Sequence, residues 1–96
     1  MKTLIMAVVL LTGLKAGDTM CIMAMQDTTK ESDYTRLYYK AGDMFNARVH
    51  ASLTRSAVIS FRVECRNSTL TKRQYANGVK AGKEVVQHLR DLGLLR

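Results

Sequence analysis

The stretch MFNARVHASLTRSAVISFRVEC, residues 44–65, decides the predicted fold, because apolar and polar residues alternate along most of it. The apolar set of its first half is Phe45, Ala47, Val49, Ala51 and Leu53, and that of its second half is Ala57, Ile59, Phe61, Val63 and Cys65. Successive side chains of a β-strand point to opposite faces, so this period predicts two amphipathic strands. A tight connection at 54–56 would join them and set Val49 opposite Phe61.

A third strand is predicted just upstream, where the turn YKAGDMF (39–45) repeats LKAGDTM (14–20). A three-residue Lys-Ala-Gly loop with its glycine in the left-handed region is typical of a β-hairpin. At 40–42 this loop length places Leu37 and Tyr39 on the apolar face of the meander, whereas a two-residue loop would place Arg36 there. The sequence therefore predicts a three-stranded antiparallel meander over 34–66.

The C-terminal segment has a helical period instead. Thr71 and Gln74 have the spacing of a capping box, and Gly93 followed by Leu94 is typical of a helix stop. One apolar stripe runs between these signals through Tyr75, Val79, Gly82, Val86 and Leu89. A helix is therefore predicted over 71–92, packed on one face of the sheet, with Gly78 and Gly82 allowing a close approach.

The N-terminal stretch MKTLIMAVVLLTGLKAGDTMC (1–21) has two interpretations. Lys2 followed by the apolar run 3–14 is typical of an export signal, although cleavage after Ala16 would place Leu14 where a small residue is expected. The alternative is a buried strand, paired through the repeated turn with the apolar residues that follow it. The repeated turn favours the hairpin and hence a cytoplasmic protein, with export as the alternative.

Together these patterns predict one α+β domain, since 96 residues can bury a single small core. It would hold an antiparallel sheet of about five strands with one helix on one face. Its parts are an N-terminal hairpin (1–25), a polar loop (26–33), the meander (34–66) and the helix (71–92). No membrane span is predicted, because the apolar run is shorter than the roughly 20 residues that a bilayer requires.

The two cysteines, Cys21 and Cys65, are too few for a zinc site. In a cytoplasmic protein they would be reduced and buried, which is the favoured interpretation, whereas in an exported protein they would form one disulfide. Neither His50 nor His88 is expected beside a nucleophile and an orienting acid, so no catalytic site is predicted. No cofactor is predicted either.

The net charge of +7, from 15 Lys and Arg against 8 Asp and Glu, favours an anionic partner. On the sheet face away from the helix, the predicted pairing places Tyr34, Arg48 and Arg62 in one row. Arginines opposite each other repel, and bound phosphate would offset that repulsion while the tyrosine stacks on a base. The candidate anion-binding residues are Tyr34, Arg36, Tyr38, Arg48, His50, Arg62 and Arg66 on the sheet, with Lys72, Arg73, Lys80 and Lys83 on the helix, where Arg90 extends the basic set. The alternative is that Glu64 compensates these charges and that the face is only solvated.

Three function hypotheses follow. The first is a small non-enzymatic regulator or inhibitor that binds nucleic acid, or a nucleic-acid-containing complex, through the Tyr/Arg sheet face. The second is an inhibitor or adaptor, as a monomer or a homodimer, that binds an acidic protein surface through a sheet edge or the Met-rich hairpin. The third is a small exported protein with a disulfide between Cys21 and Cys65.

Overall fold

The computed structural model describes residues 18–96, which form three α-helices. These are α1 (Thr19–Lys40), α2 (Met44–Glu64) and α3 (Lys72–Asp91). Helices α1 and α2 form an antiparallel hairpin, and α3 packs against α2. No residue of the range 18–96 lies in a β-strand.

The predicted α+β fold is therefore wrong, because most of the meander, the whole polar loop and residues 19–25 of the N-terminal hairpin are helical. In α2 the buried residues are Ala47, Ala51, Thr54, Ala57, Val58 and Phe61, which have the spacing of a helix face. The large apolar residues that produced the alternation, such as Phe45, Ile59 and Val63, are exposed instead. The first strand of the predicted hairpin, within residues 1–17, lies outside the described residues.

The polar segment 26–33, predicted as a loop, lies inside α1. Its threonines can be accommodated because each hydroxyl donates to a carbonyl one turn earlier. The Thr28 hydroxyl donates to the Ala24 carbonyl at 2.8 Å, and the Thr35 hydroxyl donates to the Glu31 carbonyl at 2.7 Å. Both threonines are buried against α2 as a result, so polar composition did not prevent this segment from forming a helix.

The KAG turn at 40–42 does contain a left-handed glycine, as predicted, but it ends a helix. Gly42 has φ 78°, and the amides of Gly42 and Asp43 donate to the carbonyls of Tyr39 and Tyr38, as in a Schellman motif. Asp43 then caps α2 by accepting a hydrogen bond from the Asn46 amide at 3.1 Å. Hydrogen bonds from the side chain and backbone of Asn46 hold the pKa of Asp43 below its usual value.

The helix predicted over 71–92 is present as α3, and both of its end signals are formed. Thr71 and Gln74 make the reciprocal bonds of a capping box. At the other end Gly93 has φ 77°, and the Leu94 amide donates to the Leu89 carbonyl. This helix packs on α2 rather than on a sheet.

Glycine lets α3 approach α2 closely. A Cβ atom placed on Gly78 would lie 2.3 Å from Cζ of Phe61, and one on Gly82 would lie 2.7 Å from a methyl carbon of Val58. The phenyl ring of Phe61 also stacks on that of Tyr75, with centroids 5.7 Å apart. The expectation of close approach at these glycines therefore holds, with a helix as the neighbour.

Two apolar clusters form the core. One contains Cys21, Ala24, Met25, Phe61 and Cys65, and the other contains Ala47, Ala51, Leu89 and Leu94. Each cluster combines small residues with large ones.

A disulfide joins Cys21, near the start of α1, to Cys65, which follows α2. The expectation of two reduced thiols is therefore wrong, although both residues are buried as predicted. The Thr69 amide and hydroxyl also donate to the Asp18 carboxylate, so the connection between α2 and α3 contacts the start of α1. Among the described helices, none is both long and apolar enough to cross a membrane.

Candidate functional site

Three arginines follow one line along α2. Arg48, Arg55 and Arg62 recur at seven-residue intervals, which is close to two helical turns or about 10 Å along the axis. These arginines lie next to Ala51 and Val58 on the helix surface. Ala51 packs with Leu89 of α3, and Val58 packs against Gly82 of α3. The contacts of α2 with α1, made by His50 and Thr54, lie on the other flank. The arginines therefore lie beside the α2–α3 contact, on the side away from α1.

Three further cations lie on the same side of α3. Lys83 and Arg90 directly follow Gly82 and Leu89, the residues that contact α2, and Lys72 lies three turns before Lys83. Because Val58 meets Gly82 while Ala51 packs with Leu89, the two helices run antiparallel. This register places Arg55 at the level of Lys83 and Arg48 at the level of Arg90. We call these residues, Arg48, Arg55, Arg62, Lys72, Lys83 and Arg90, the basic face.

Carboxylates lie elsewhere in the described part of the chain. The acidic residues Asp18, Asp27, Glu31, Asp33 and Asp43 belong to α1 and to the residues that cap α1 and α2. Helix α2 has no acidic residue before Glu64, its last position. On α3, Glu84 lies on the side toward α1, where it lines a groove described below. Asp91 lies two turns further along that side of the helix. Among residues 18–96, no Asp or Glu side chain forms an ion pair with a member of the basic face.

Arg62 provides an unused hydrogen-bond donor within the basic face. Its Nε is buried and has no acceptor among the described residues. The backbone of Arg62 is held in place, because its carbonyl accepts a hydrogen bond from the Tyr75 hydroxyl at 2.8 Å. At the other end of the face, Nε of Arg90 donates to the carbonyl of Arg96 at 3.0 Å.

The predicted row of Tyr34, Arg48 and Arg62 is wrong, because it depended on strand pairing. Arg48 and Arg62 lie on one helix, about 21 Å apart along its axis. Tyr34 lies at the α1–α2 contact, where it and Tyr38 flank the His50 ring with centroid distances of 5.1 and 5.2 Å. His50 Nδ1 also lies 2.5 Å from a carboxylate oxygen of Glu31. Those two tyrosines therefore pack on His50, away from the arginines.

The remaining predicted residues are dispersed. Arg36 is paired with Asp33, with 2.6 Å between the guanidinium and the carboxylate, and borders the groove between α1 and α3. Arg66 is exposed in the connection after α2. Arg73 and Lys80 follow the outer line of α3, next to the basic face but turned away from α2. Neither a sheet face nor a sheet edge exists in residues 18–96 to support the first two hypotheses in their original form.

Arg55 is the residue that the sequence-based prediction missed. The strand interpretation placed it in a tight turn at 54–56, so it was not considered as part of a surface. The signal was its seven-residue spacing from both Arg48 and Arg62, which becomes meaningful only with a helical period.

A groove of about 580 Å³ separates the C-terminal halves of α1 and α3. Most of the exposed surface of its lining is apolar, although several lining residues are polar or charged. The lining residues are Ser32, Thr35, Arg36, Tyr39, Lys40, Glu84, Val85, His88, Leu89, Leu92 and Leu94. The volume is within the range of ligand pockets. Because Arg36, Lys40 and Glu84 bring both signs of charge, the groove indicates no particular ligand.

Within residues 18–96, no three His, Cys, Asp or Glu side chains are grouped as metal ligands would be. Comparison of the chain with protein-family models, curated proteins and solved structures found no match. The basic face is therefore the feature on which we base a function.

Proposed function

We propose that this protein is a small non-enzymatic binding protein that holds a polyanion, such as a nucleic-acid phosphate backbone, on its basic face. The observation that supports the proposal is the alignment of six cations from α2 and α3 on one side, away from the carboxylates of the described chain. Like charges held together on rigid helices repel one another, and a bound polyanion offsets that repulsion while its counterions are released.

The residue types indicate how the polyanion would be held. Arginine offers two parallel N–H donors to a phosphate, and three of the six cations of the basic face are arginines of α2. Tyr34 and Tyr38 are packed on His50 at the α1–α2 contact, so base stacking beside the arginines is not expected. We therefore expect binding that depends on the phosphate backbone and not on base sequence.

The first prediction concerns binding of duplex DNA, measured by fluorescence anisotropy over a range of salt concentrations. Replacing Arg48 and Arg55 by alanine removes two phosphate contacts. The slope of log affinity against log salt should then fall by about 2, and the affinity at 0.1 M salt should fall by roughly 50-fold.

Lys30→Ala with Lys40→Ala is the matched control, because it removes the same charge from α1, outside the basic face. This control should retain most of the affinity. Equal losses in the two double variants would show that only net charge matters and would contradict the assignment of the basic face. Absence of binding to any duplex at low salt would remove nucleic acid as the bound polyanion.

We further propose that the protein is exported, in preference to the cytoplasmic alternative. The disulfide between Cys21 and Cys65 supports this, because stable disulfides form in oxidising compartments. Lys2 and the apolar run 3–14 have the pattern of an export signal. The hairpin that favoured the cytoplasm required residues 19–25 as a strand, and these residues are part of α1.

The second prediction is that protein isolated from expressing cells lacks an N-terminal segment ending before Asp18 and contains one disulfide. Intact mass measurement before and after reduction checks both points. Val8→Asp with Leu10→Asp interrupts the apolar run and should prevent cleavage, because an export signal needs a continuous apolar segment. An uncleaved natural chain with two free thiols would contradict export and leave the polyanion proposal untouched.

A further inference from the structure

The outward surface of α2 carries a second line of side chains, next to its arginines. The members recur at alternating intervals of four and three residues, the spacing of one continuous helix face. We call this set the outer stripe: Phe45, Val49, Ser52, Ser56, Ile59 and Val63. Phe45 is 76 % exposed and Val63 is 66 % exposed.

Helix α2 carries large apolar side chains on both its sides. Its buried side holds Phe61 and Val58 together with three alanines, whereas Phe45, Ile59 and Val63 are exposed. Exposed apolar side chains that form one patch are uncommon on soluble monomers and usually mark a binding surface. Leu53 of α2 is also exposed, at 45 %.

The arginines border the outer stripe along its whole length. Arg48, Arg55 and Arg62 each immediately precede a member of the stripe, namely Val49, Ser56 and Val63. No acidic residue occurs on α2 before Glu64. The outer stripe thus has an exposed apolar pair at each end, two serines between the pairs and arginines along its border. A helix with exposed apolar side chains bordered by cations can lie in the boundary of an anionic bilayer, where long basic side chains reach back to the headgroups.

We propose that the polyanion bound by this protein is an anionic lipid surface, with α2 lying along it and the outer stripe in the headgroup boundary. This inference depends on the proposed function, because the arginines of the basic face would contact the lipid phosphates. Charge disfavours a second copy of the chain as the occupant, since it would bring a second set of the same arginines to this surface.

The test is co-sedimentation of the purified, disulfide-bonded protein with vesicles of phosphatidylcholine that do or do not contain phosphatidylglycerol. We expect binding to the anionic vesicles alone. Phe45→Ser should weaken vesicle binding by at least about 10-fold, because it removes the most exposed apolar side chain of the stripe. The same variant should bind duplex DNA with the natural affinity, whereas Arg48→Ala with Arg55→Ala should weaken both.

Tyr39→Ser is the matched control, because Tyr39 is a partly exposed aromatic residue of the α1–α3 groove, on another side of the molecule. Circular dichroism confirms that each variant is folded. Equal vesicle binding by the two serine variants would overturn the inference. Equal binding of the natural protein to the neutral and the anionic vesicles would overturn it as well. A dimer in sedimentation velocity that Phe45→Ser abolishes would assign the stripe to a second copy. DNA binding without vesicle binding would overturn the lipid inference alone, whereas loss of both would also remove the proposed function.

Discussion

Replacing Cys21 and Cys65 by serine is expected to lower the free energy of unfolding by about 4 kcal/mol. The bridged residues are separated by 44 positions, so in the unfolded chain the disulfide closes a loop that contains most of α1 and all of α2. Removing it restores the conformational entropy of that loop to the unfolded state. Since small domains have total stabilities of about 5–15 kcal/mol, the loss would be a large part of the whole.

Urea denaturation followed by circular dichroism measures this change. The natural protein with a reductant should unfold at the same urea concentration as the serine variant, whereas the reductant should not affect the variant itself. That comparison separates the covalent constraint from any effect of the serine side chains. Equal midpoints for the oxidised natural protein and the serine variant would show that the bridge does not stabilise the fold.

The second large effect is expected at Phe61, for which substitution by alanine should cost about 3–5 kcal/mol. The side chain is 2 % exposed and lies in one cluster with Met25 and both cysteines. Its ring also stacks on Tyr75 and fills the space above Gly78, so it links all three helices. Thermal and urea unfolding should both report the loss.

A double-mutant cycle with Gly78→Ala isolates the contact between α2 and α3. In the natural protein the added methyl group would clash with the Phe61 ring, at a cost of about 1–3 kcal/mol that exceeds the gain of about 1 kcal/mol in helix propensity. In the Phe61→Ala background the clash is absent, so Gly78→Ala should become neutral or stabilising. The same effect in both backgrounds would contradict the close approach.

The parts of the fold that local signals define could be predicted from the sequence. The capping box of Thr71 and Gln74, the apolar stripe of α3 and the stop at Gly93 all act within one helix and do not depend on its neighbours. The prediction at Gly42 was partly right. Its left-handed conformation was predicted, whereas the helices on either side of it were predicted as strands. A glycine of this kind fits both a hairpin loop and the end of a helix.

The identity of α2 could not be predicted from hydrophobicity alone. Alternation through Phe45, Val49 and Ile59 indicated a strand because large apolar residues were expected in the core. In the structure three of the six buried residues of α2 are alanines and Phe61 is the largest, and these residues have the spacing of a helix face. Residue size therefore gave the wrong period, and with it the wrong fold.

The candidate site was predicted in part, for the same reason. Arg48 and Arg62 were selected through the predicted strand pairing, and Lys72, Lys83 and Arg90 through the predicted helix. All five are members of the basic face. Their arrangement could not be predicted, because it requires the helical period of α2 and its register against α3. Tyr34 was assigned to the same surface only through a strand pairing that does not exist.

Because of the disulfide, the three helices are not attached to one another by the same number of covalent links. Helices α1 and α2 are joined by residues 41–43 at one end and by the cystine at the other, so together they form a closed ring. Helix α3 is attached to this ring by one peptide connection. A protease that cuts at 41–43 would leave a single covalent molecule, whereas a cut between Cys65 and Lys72 would free α3 and leave the ring, the outer stripe and the three arginines of α2 on one fragment.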